Sequence, residues 1–171
     1  RIGALAAELA AEGIALSHLD LGGGFGIRYR DERPPAPGEF LAAVLAALAG
    51  RPEKLVVDPG RALVGAAGVL LTRIEYVKPG EAKNFVVVDA AMNDLLRPAL
   101  YGAWHDVWPV REPDGSARED LYDVVGPVCE SADFLARERR LAPRPGDLLA
   151  VMAAGAYGMT MSSNYNRSEE H

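Results

Sequence analysis

The first 60 residues alternate between helical and extended hydrophobic patterns. Apolar residues recur at helical spacing, or in short continuous runs, with Gly or Pro-Gly where each run stops. The pattern predicts, in chain order, a helix over residues 1–12, a buried strand over 14–21, a helix over 38–50 and a short strand over 54–61. A polar, proline-rich loop is expected over residues 28–37. This alternation is typical of a parallel sheet or a (β/α) barrel, in which the loops after the strands carry the chemistry.

The pattern changes after about residue 62. Four β-rich runs follow, bounded by turn signals such as Lys78-Pro79-Gly80, Pro113-Asp114-Gly115 and Pro145-Gly146. The runs are GVLLTRIEYV, NFVVVDAA, LYDVVGPVC and DLLAVMAAGAY. Between them, FLARERRL (134–141) is interpreted as a short helix. We therefore expect an antiparallel β-domain after the barrel-like part.

Composition narrows the class of protein. The chain has 171 residues, is 49% hydrophobic and 25% charged, and carries a net charge of −6. An acidic chain argues against nucleic acid as a main partner, and no apolar run reaches the ~18 residues of a membrane span. The single cysteine, Cys129, excludes an internal disulfide, so a reduced, cytoplasmic setting is expected. Because the chain starts at Arg1 inside a helical pattern, we expect it to be a piece of a longer protein.

Three consecutive glycines follow the first strand, in HLDLGGGFGI (18–27). The run is neither the dinucleotide fingerprint, because its sixth position is Ile27, nor a P-loop, because no Gly-Lys-Ser/Thr follows. Bare backbone N–H groups suit a phosphate. A flexible turn after a strand remains the alternative.

Two further stretches combine reactive groups with a rigid turn. VVDPGR (56–61) offers the carboxylate of Asp58 and the guanidinium of Arg61 around Pro59-Gly60. An arginine fork matches a phosphate or carboxylate, although an ordinary surface turn would look the same. GPVCESADF (126–134) places Cys129 beside Glu130, and a cysteine after an apolar run is also a common inert core residue. No spacing typical of a metal site is seen.

Taken in order, five motifs resemble those of the diaminopimelate decarboxylase family, within the alanine-racemase-like group of pyridoxal-phosphate decarboxylases. They are LDLGGGFG, DPGR, MNDLLRPALY, GPVCESADF and AYGMTMSSNYN, and the resemblance runs from about Leu16 to Asn166. It implies the second half of a pyridoxal-phosphate-binding (β/α)₈ barrel over residues 1–64. It also implies a C-terminal antiparallel β-domain over 65–171. The implied reaction converts meso-2,6-diaminopimelate, a small amino-acid substrate, to L-lysine and CO₂ at the end of lysine biosynthesis.

The resemblance also implies roles for particular residues. Cofactor contacts are expected from Gly22, Gly23, Gly24, Asp58, Pro59, Gly60, Arg61 and Tyr157. Substrate contacts are expected from Arg61, Arg97, Tyr101, Glu130 and Tyr157. Cys129 would protonate the α-carbon. Cys129 and Glu130 would reach into the partner subunit's site, which implies a homodimer with shared active sites.

Two features depart from the family pattern. The family has Glu-Pro-Gly-Arg where this chain has Asp58, which is shorter by one methylene, about an ångström of reach. The Schiff-base lysine is expected upstream of this chain, because Lys54, Lys78 and Lys83 lie outside its context.

Two alternatives stay open. One is a sister enzyme acting on ornithine, arginine or carboxynorspermidine. Ornithine-type enzymes have Cys-Asp where this chain has Cys129-Glu130, and they lack the Arg97…Tyr101 clamp that would hold the distal carboxylate of diaminopimelate. The other is a non-catalytic, truncated copy that binds a partner through its β-domain.

Overall fold

The computed structural model describes residues 2–112, 114–115 and 118–166. They form two compact units. The first unit runs up to Arg28 and continues over Arg33–Leu63. The second consists of Tyr29–Glu32 and the described residues from Val64 onward. Each unit is described by itself below.

The first unit alternates helix and strand. Its elements are α1 (Ile2–Ala11), β1 (His18–Asp20), α2 (Pro37–Ala47), β2 (Lys54–Val56) and the start of α3 (Gly60–Val64). The predicted order of helix, strand, helix, strand is confirmed, although both strands are shorter than predicted and Arg1 lies outside the described residues. β1 and β2 pair in parallel, with His18 opposite Lys54. The carboxyl ends of the two strands therefore meet at one edge.

The second unit is built on a six-stranded sheet. Its elements are β3 (Leu70–Lys78), β4 (Asn84–Val88), α4 (Arg97–Tyr101), β5 (Val107–Pro109), β6 (Asp120–Val125), β7 (Phe134–Leu141) and β8 (Leu148–Val151), with 3-10 turns at Gly65–Ala67 and Met159–Met161. The strand order is β5-β8-β3-β4-β6-β7. The predicted strands β3, β4, β6 and β8 are confirmed, whereas β5 had no counterpart in the prediction.

The expectation of a purely antiparallel domain is wrong at one pair. β4 and β6 run parallel, with Asn84 opposite Tyr122 and Val87 opposite Val125, while the other pairs are antiparallel. A parallel pair needs a crossover, and here α4 and β5 supply it. As a consequence, the segments that follow β4 and β6 both begin at the same end of the sheet, where the carboxyl ends of these strands lie.

The segment FLARERRL is a strand, β7, and the predicted short helix is wrong. On β6, Tyr122 and Val124 are two positions apart, but their partners Arg139 and Ala136 are three apart. One extra residue is therefore accommodated on β7, and Glu138 has a φ of 57°. Because of the bulge, the buried residues Ala136 and Arg139 are three positions apart, a spacing that in the sequence is typical of a helix.

The sheet encloses an apolar core. Val86, Val88, Val124, Leu135 and Val151 have no exposed surface. Each lies on a strand, so one face of the sheet is fixed by their burial. Within the described ranges, no helix has the length and apolar character needed to cross a membrane.

Candidate active site

The glycine run and the DPGR turn lie against each other in the first unit. Leu21 N–H donates to Val56 O (3.0 Å), and Asp58 N–H donates to Gly22 O (3.2 Å). These bonds extend the β1–β2 pairing past the strand ends, where loops of parallel sheets bind ligands. Two motifs separated in the sequence thus form one surface.

Gly23 has no side chain because the DPGR turn occupies the space. A Cβ on Gly23 would stand 2.8 Å from the backbone oxygen of Asp58 and 3.5 Å from its Oδ1. From the sequence, the glycines were expected to make room for a phosphate. At Gly23 the space is instead filled by the backbone of Asp58. The carboxylate of Asp58 consequently lies beside the glycine run.

Gly22 and Gly24 are needed for a different reason. Their φ values are 70° and 72°, in the left-handed region that glycine adopts without strain. Gly22 N–H donates to Asp20 Oδ1 (2.8 Å), whereas none of the hydrogen bonds among the described residues involves the N–H groups of Gly23 and Gly24. Two adjacent free N–H groups in such a turn form an anion-binding concavity. The residues therefore fit the phosphate of a pyridoxal cofactor.

Arg61, at the start of α3, is half-buried next to the same loop. Its Nε and Nη2 both donate to Phe25 O, at 3.3 Å each. Phe25 is itself buried, its ring centroid 4.4 Å from that of Phe40. The guanidinium is thus held beside the glycine loop, where its charge suits an anion.

In the second unit, three motif segments converge. The segment after β4 begins with Asp89, whose Oδ1 accepts from Thr72 Oγ1 (2.6 Å) and from Arg73 N–H (2.7 Å). Burial raises the pKa of Asp89, but the bonds from Thr72 and Arg73, its own backbone N–H and the charge of Arg73 together lower it below its ordinary value. The same segment meets the next two, because Met92 N–H donates to Asp133 Oδ1 (2.7 Å) and Asn93 O accepts from Ser163 N–H (2.9 Å).

Arg97, the first residue of α4, is buried inside this unit. Its Nη1 donates to His105 Nε2 (2.9 Å), and its guanidinium lies 4.5 Å from the ring centroid of Tyr29. His105 is fully buried, and its Nδ1 lies 2.8 Å from Met152 O. A carbonyl only accepts, so Nδ1 carries the proton and Nε2 receives the bond from Arg97.

The pKa of His105 is lowered, first of all by burial. The bond to Met152 O opposes this, while the cations of Arg97 and Arg139 lower the pKa further and Asp106 opposes them. His105 is therefore a neutral acceptor for Arg97. Tyr101, four residues along the same helix, is instead exposed, so the two predicted substrate residues do not meet within this unit.

Cys129 and Glu130 occupy the tip of the loop between β6 and β7, and both are exposed. Backbone bonds from Gly126 N–H to Asp133 O (3.2 Å) and from Asp133 N–H to Glu130 O (3.0 Å) close the loop. Glu130 Oε1 accepts from Ser131 Oγ (3.2 Å) and Ala132 N–H (3.3 Å). The thiol and carboxylate are thus presented at the surface of a tight turn.

Tyr157 has a strained backbone. Its φ is 62°, in the left-handed region that a bulky residue rarely adopts. The chain around it is crowded, because a Cβ on Gly158 would lie 2.4 Å from Ala154 O, so the neighbouring glycine is required. The phenol is half-exposed, and strain held in a fixed conformation is a mark of functional residues.

Sequence reasoning missed three residues of this arrangement. Tyr29, whose buried hydroxyl has no hydrogen-bond partner among the described residues, lies in a loop without periodicity. His105 is a lone histidine, and Asp133 is one acid among many. Only the position of Asp133 in the segment that follows the Gly126-Pro127 turn was a usable signal. Of the lysines, Lys83 pairs with Asp123 (3.0 Å), while Lys54 and Lys78 are exposed strand ends.

The chain combines a glycine run that suits a phosphate with a loop that presents Cys129 and Glu130 from a mixed sheet, and these features are found together in one class of enzymes. The chain belongs to the pyridoxal-dependent decarboxylases, since residues 27–155 match the family model for their C-terminal sheet domain. It is 58% identical to the diaminopimelate decarboxylase of Pseudomonas aeruginosa and 55% identical to that of Vibrio cholerae, in each case over 97% of this chain. The crystal structure of diaminopimelate decarboxylase from Helicobacter pylori complexed with L-lysine superposes with a TM-score of 0.86 at 39% identity over 96% of this chain and 41% of that one. The chain spans 40% of the length of the two curated relatives.

Among the residues that the structure describes, no group of histidine, cysteine and acidic side chains is arranged to hold a metal ion.

Proposed function

We propose that this chain forms part of a diaminopimelate decarboxylase, a pyridoxal-phosphate-dependent carboxy-lyase that converts meso-2,6-diaminopimelate to L-lysine and CO₂. The observation that carries the proposal is the convergence of three motif segments in the second unit, through Met92–Asp133 and Asn93–Ser163. High identity to diaminopimelate decarboxylases along nearly the whole chain supports it. The L-lysine held by the Helicobacter pylori enzyme is the product that the proposal requires.

The same proposal covers the fold. Residues 1–64 are the second half of a (β/α)₈ barrel and residues 65–171 its C-terminal β-domain. The parallel β1–β2 pair followed by glycine-rich loops supports the first part, and the sheet of β3–β8 supports the second. The family-model match to a C-terminal sheet domain supports the second part as well.

Apart from Tyr157, the cofactor-binding residues of this chain lie in the first unit. The N–H groups of Gly23 and Gly24 would hold the phosphate, Arg61 would add a positive charge, and Asp58 would serve the ring nitrogen. When bound, pyridoxal phosphate supplies an electron sink for the pair left behind as CO₂ departs. A carboxylate beside the ring nitrogen keeps that nitrogen protonated, which strengthens the sink.

Apart from Arg61, the substrate-binding residues lie in the second unit. Arg97 and Tyr101 hold the distal carboxylate, Glu130 binds the distal amino group, and Tyr157 contacts both cofactor and substrate. Cys129 delivers a proton from its Sγ to the α-carbon, which requires the thiol to stand over that carbon. Because Cys129 and Glu130 are exposed in this chain, they are available to a second subunit, which supports a homodimer with shared sites. A cytoplasmic location is part of the same proposal.

The test uses the complete reading frame, loaded with pyridoxal phosphate. CO₂ release is measured from meso-diaminopimelate and from ornithine in parallel, and release from diaminopimelate alone is expected. Release from ornithine alone would leave cofactor and fold in place and overturn the substrate. Release from neither, in a folded and cofactor-loaded protein, would favour a non-catalytic copy.

The substrate clamp has its own variant. Arg97→Ala removes the only charge proposed to bind the distal carboxylate, so KM for diaminopimelate should rise on the order of 10-fold or more. Arg140→Ala, which removes an exposed arginine of β7, is the matched control and should change little. An equal loss with a substrate that lacks the distal carboxylate would count against the clamp.

A further inference from the structure

One carboxylate joins two of the converging segments. Asp133 is buried, at 5% exposure. Its Oδ1 accepts from Met92 N–H and its Oδ2 from Val128 N–H, both at 2.7 Å. Val128 immediately precedes Cys129, whereas Met92 lies on the segment between β4 and α4. The two bonds therefore fasten the cysteine loop to a different part of the chain.

The pocket around this carboxylate leaves no room for adjustment. A Cβ on Gly126 would lie 2.5 Å from Asp133 Oδ2, and 2.7 Å from both Ala90 O and Ala91 Cα. Gly126 has no positive φ, so the requirement for glycine there is purely steric. Two backbone segments, at Gly126 and at Ala90-Ala91, thus pack against the Asp133 carboxylate directly under the loop.

The bonds from Met92 N–H and Val128 N–H require a side chain with two acceptor oxygens, which a carboxylate provides. Both partners are N–H donors, and only an ionised carboxylate offers an acceptor to each without presenting a hydrogen. The pKa of Asp133 is raised above its ordinary value, first of all by burial and also by the neighbouring Asp94, while the two N–H bonds oppose this and lower it. The bonds to Met92 and Val128 are thus what favours the charged form in this buried place.

We propose that Asp133 is a positioning residue, which holds the Cys129 loop against the Met92 segment so that the thiol is presented at a fixed place. The proposal rests on the proposed function, in which Cys129 Sγ delivers a proton to the α-carbon. A misplacement of the donor by 1 Å costs about 10²-fold in such a transfer. Since both bonds lie within one chain, they hold the Cys129 loop in the same way whichever subunit's site the thiol serves.

Asp133→Asn is the decisive variant, because it keeps the shape of the side chain and replaces one acceptor by an N–H donor. In the complete, cofactor-loaded protein we expect kcat to fall on the order of 10-fold to 100-fold and KM to change by less than about threefold. The second readout needs no cofactor. Hydrogen exchange of the peptides that contain Met92 and Val128 should become faster in the cofactor-free protein.

The chain provides a matched control in Asp123→Asn. Asp123 is also buried, and it also bridges two segments, accepting from Lys83 Nζ (3.0 Å) and from Glu138 N–H (2.8 Å). It holds strands of the sheet rather than the cysteine loop. We expect Asp123→Asn to lower thermal stability while leaving kcat and the exchange at Met92 and Val128 unchanged.

The outcomes separate this proposal from the proposed function. An unchanged kcat in Asp133→Asn, or an equal kcat loss in Asp123→Asn, would overturn the positioning role. If Asp133→Asn does not fold, Asp133→Glu, which keeps the charge and both acceptor oxygens but displaces them by one methylene, must show the same kcat and exchange changes or the proposal fails. If the wild-type protein releases no CO₂, the proposed function fails, and unchanged exchange would overturn the role of Asp133 independently.

Discussion

Arg97 and His105 form a buried pair in which the cation donates and the imidazole accepts. The distance from Arg97 Nη1 to His105 Nε2 is 2.9 Å, and the proton on His105 Nδ1 is directed to Met152 O (2.8 Å). The acceptor role of the imidazole therefore depends on the backbone carbonyl of Met152, the residue that directly follows β8. The Arg97 side chain is therefore oriented by residues outside α4, namely His105 and, through it, Met152.

His105→Leu tests this orientation. The apolar substitution removes the acceptor and leaves one N–H of a buried guanidinium unpaired, and hydrogen bonds to charged groups contribute about 1.5–3 kcal/mol. We expect KM for diaminopimelate to rise on the order of 10-fold, with a smaller change in kcat, in steady-state assays of the complete protein. His18→Leu, at an exposed histidine, is the control and should leave KM unchanged. A normal KM in His105→Leu would mean that Arg97 does not need its partner.

The same histidine predicts a dependence of stability on pH. Its pKa in the folded protein lies below the ordinary value of 6.5, chiefly because of burial. The unfolded chain therefore binds more protons in this range, so the free energy of unfolding falls as the pH drops below about 6.5 and stops falling below the folded-state pKa. Thermal midpoints measured between pH 7.5 and 5 should fall more in the wild type than in His105→Leu. Parallel curves for the two proteins would contradict the assignment.

Asp58→Glu restores the length of the acid found in the family pattern. The carboxylate would reach about an ångström further toward the cofactor ring, without a change of charge. We expect kcat to be kept or raised, whereas Asp58→Ala, which removes the carboxylate, should lower it strongly. A large drop in Asp58→Glu would show that Asp58 does not serve the ring nitrogen.

Gly23→Ala tests the contact between the two loops of the first unit. The added methyl group would stand 2.8 Å from Asp58 O, which is too close for either backbone to remain in place. Pyridoxal phosphate should bind on the order of 10-fold more weakly in a spectroscopic titration, because both the phosphate cradle and the carboxylate shift. Gly38→Ala is the control, since nothing lies within 4 Å of its added methyl group. Equal affinities in the two variants would contradict the role of Gly23.

Local patterns predicted most of the elements because those elements follow local rules. The helix ends at Gly13 and Gly50, with φ values of 84° and 81°, are chain reversals that glycine permits. The parallel β1–β2 pair follows from strands that alternate with helices. The glycine run and the DPGR turn could be placed after these two strands for the same reason.

The failures were caused by contacts between distant residues. The guanidinium of Arg139 on β7 lies 3.2 Å from the ring centroid of Trp104, which precedes it by 35 residues. This contact, together with the bulge, stabilises a strand whose sequence is typical of a helix. Asp133 and His105 have no local pattern, since their partners lie on segments that only the folded chain brings together.

The parallel pairing of β4 with β6 also has a consequence for the order of folding. A hairpin turn cannot join parallel neighbours, so pairing these two strands closes a loop that runs from Val88 to Asp120. Contacts that close such long loops carry a large entropic cost and form slowly. We therefore expect the antiparallel β3–β4 and β6–β7 hairpins to form early. The junction under Cys129 would then be among the last parts of this unit to reach its native state.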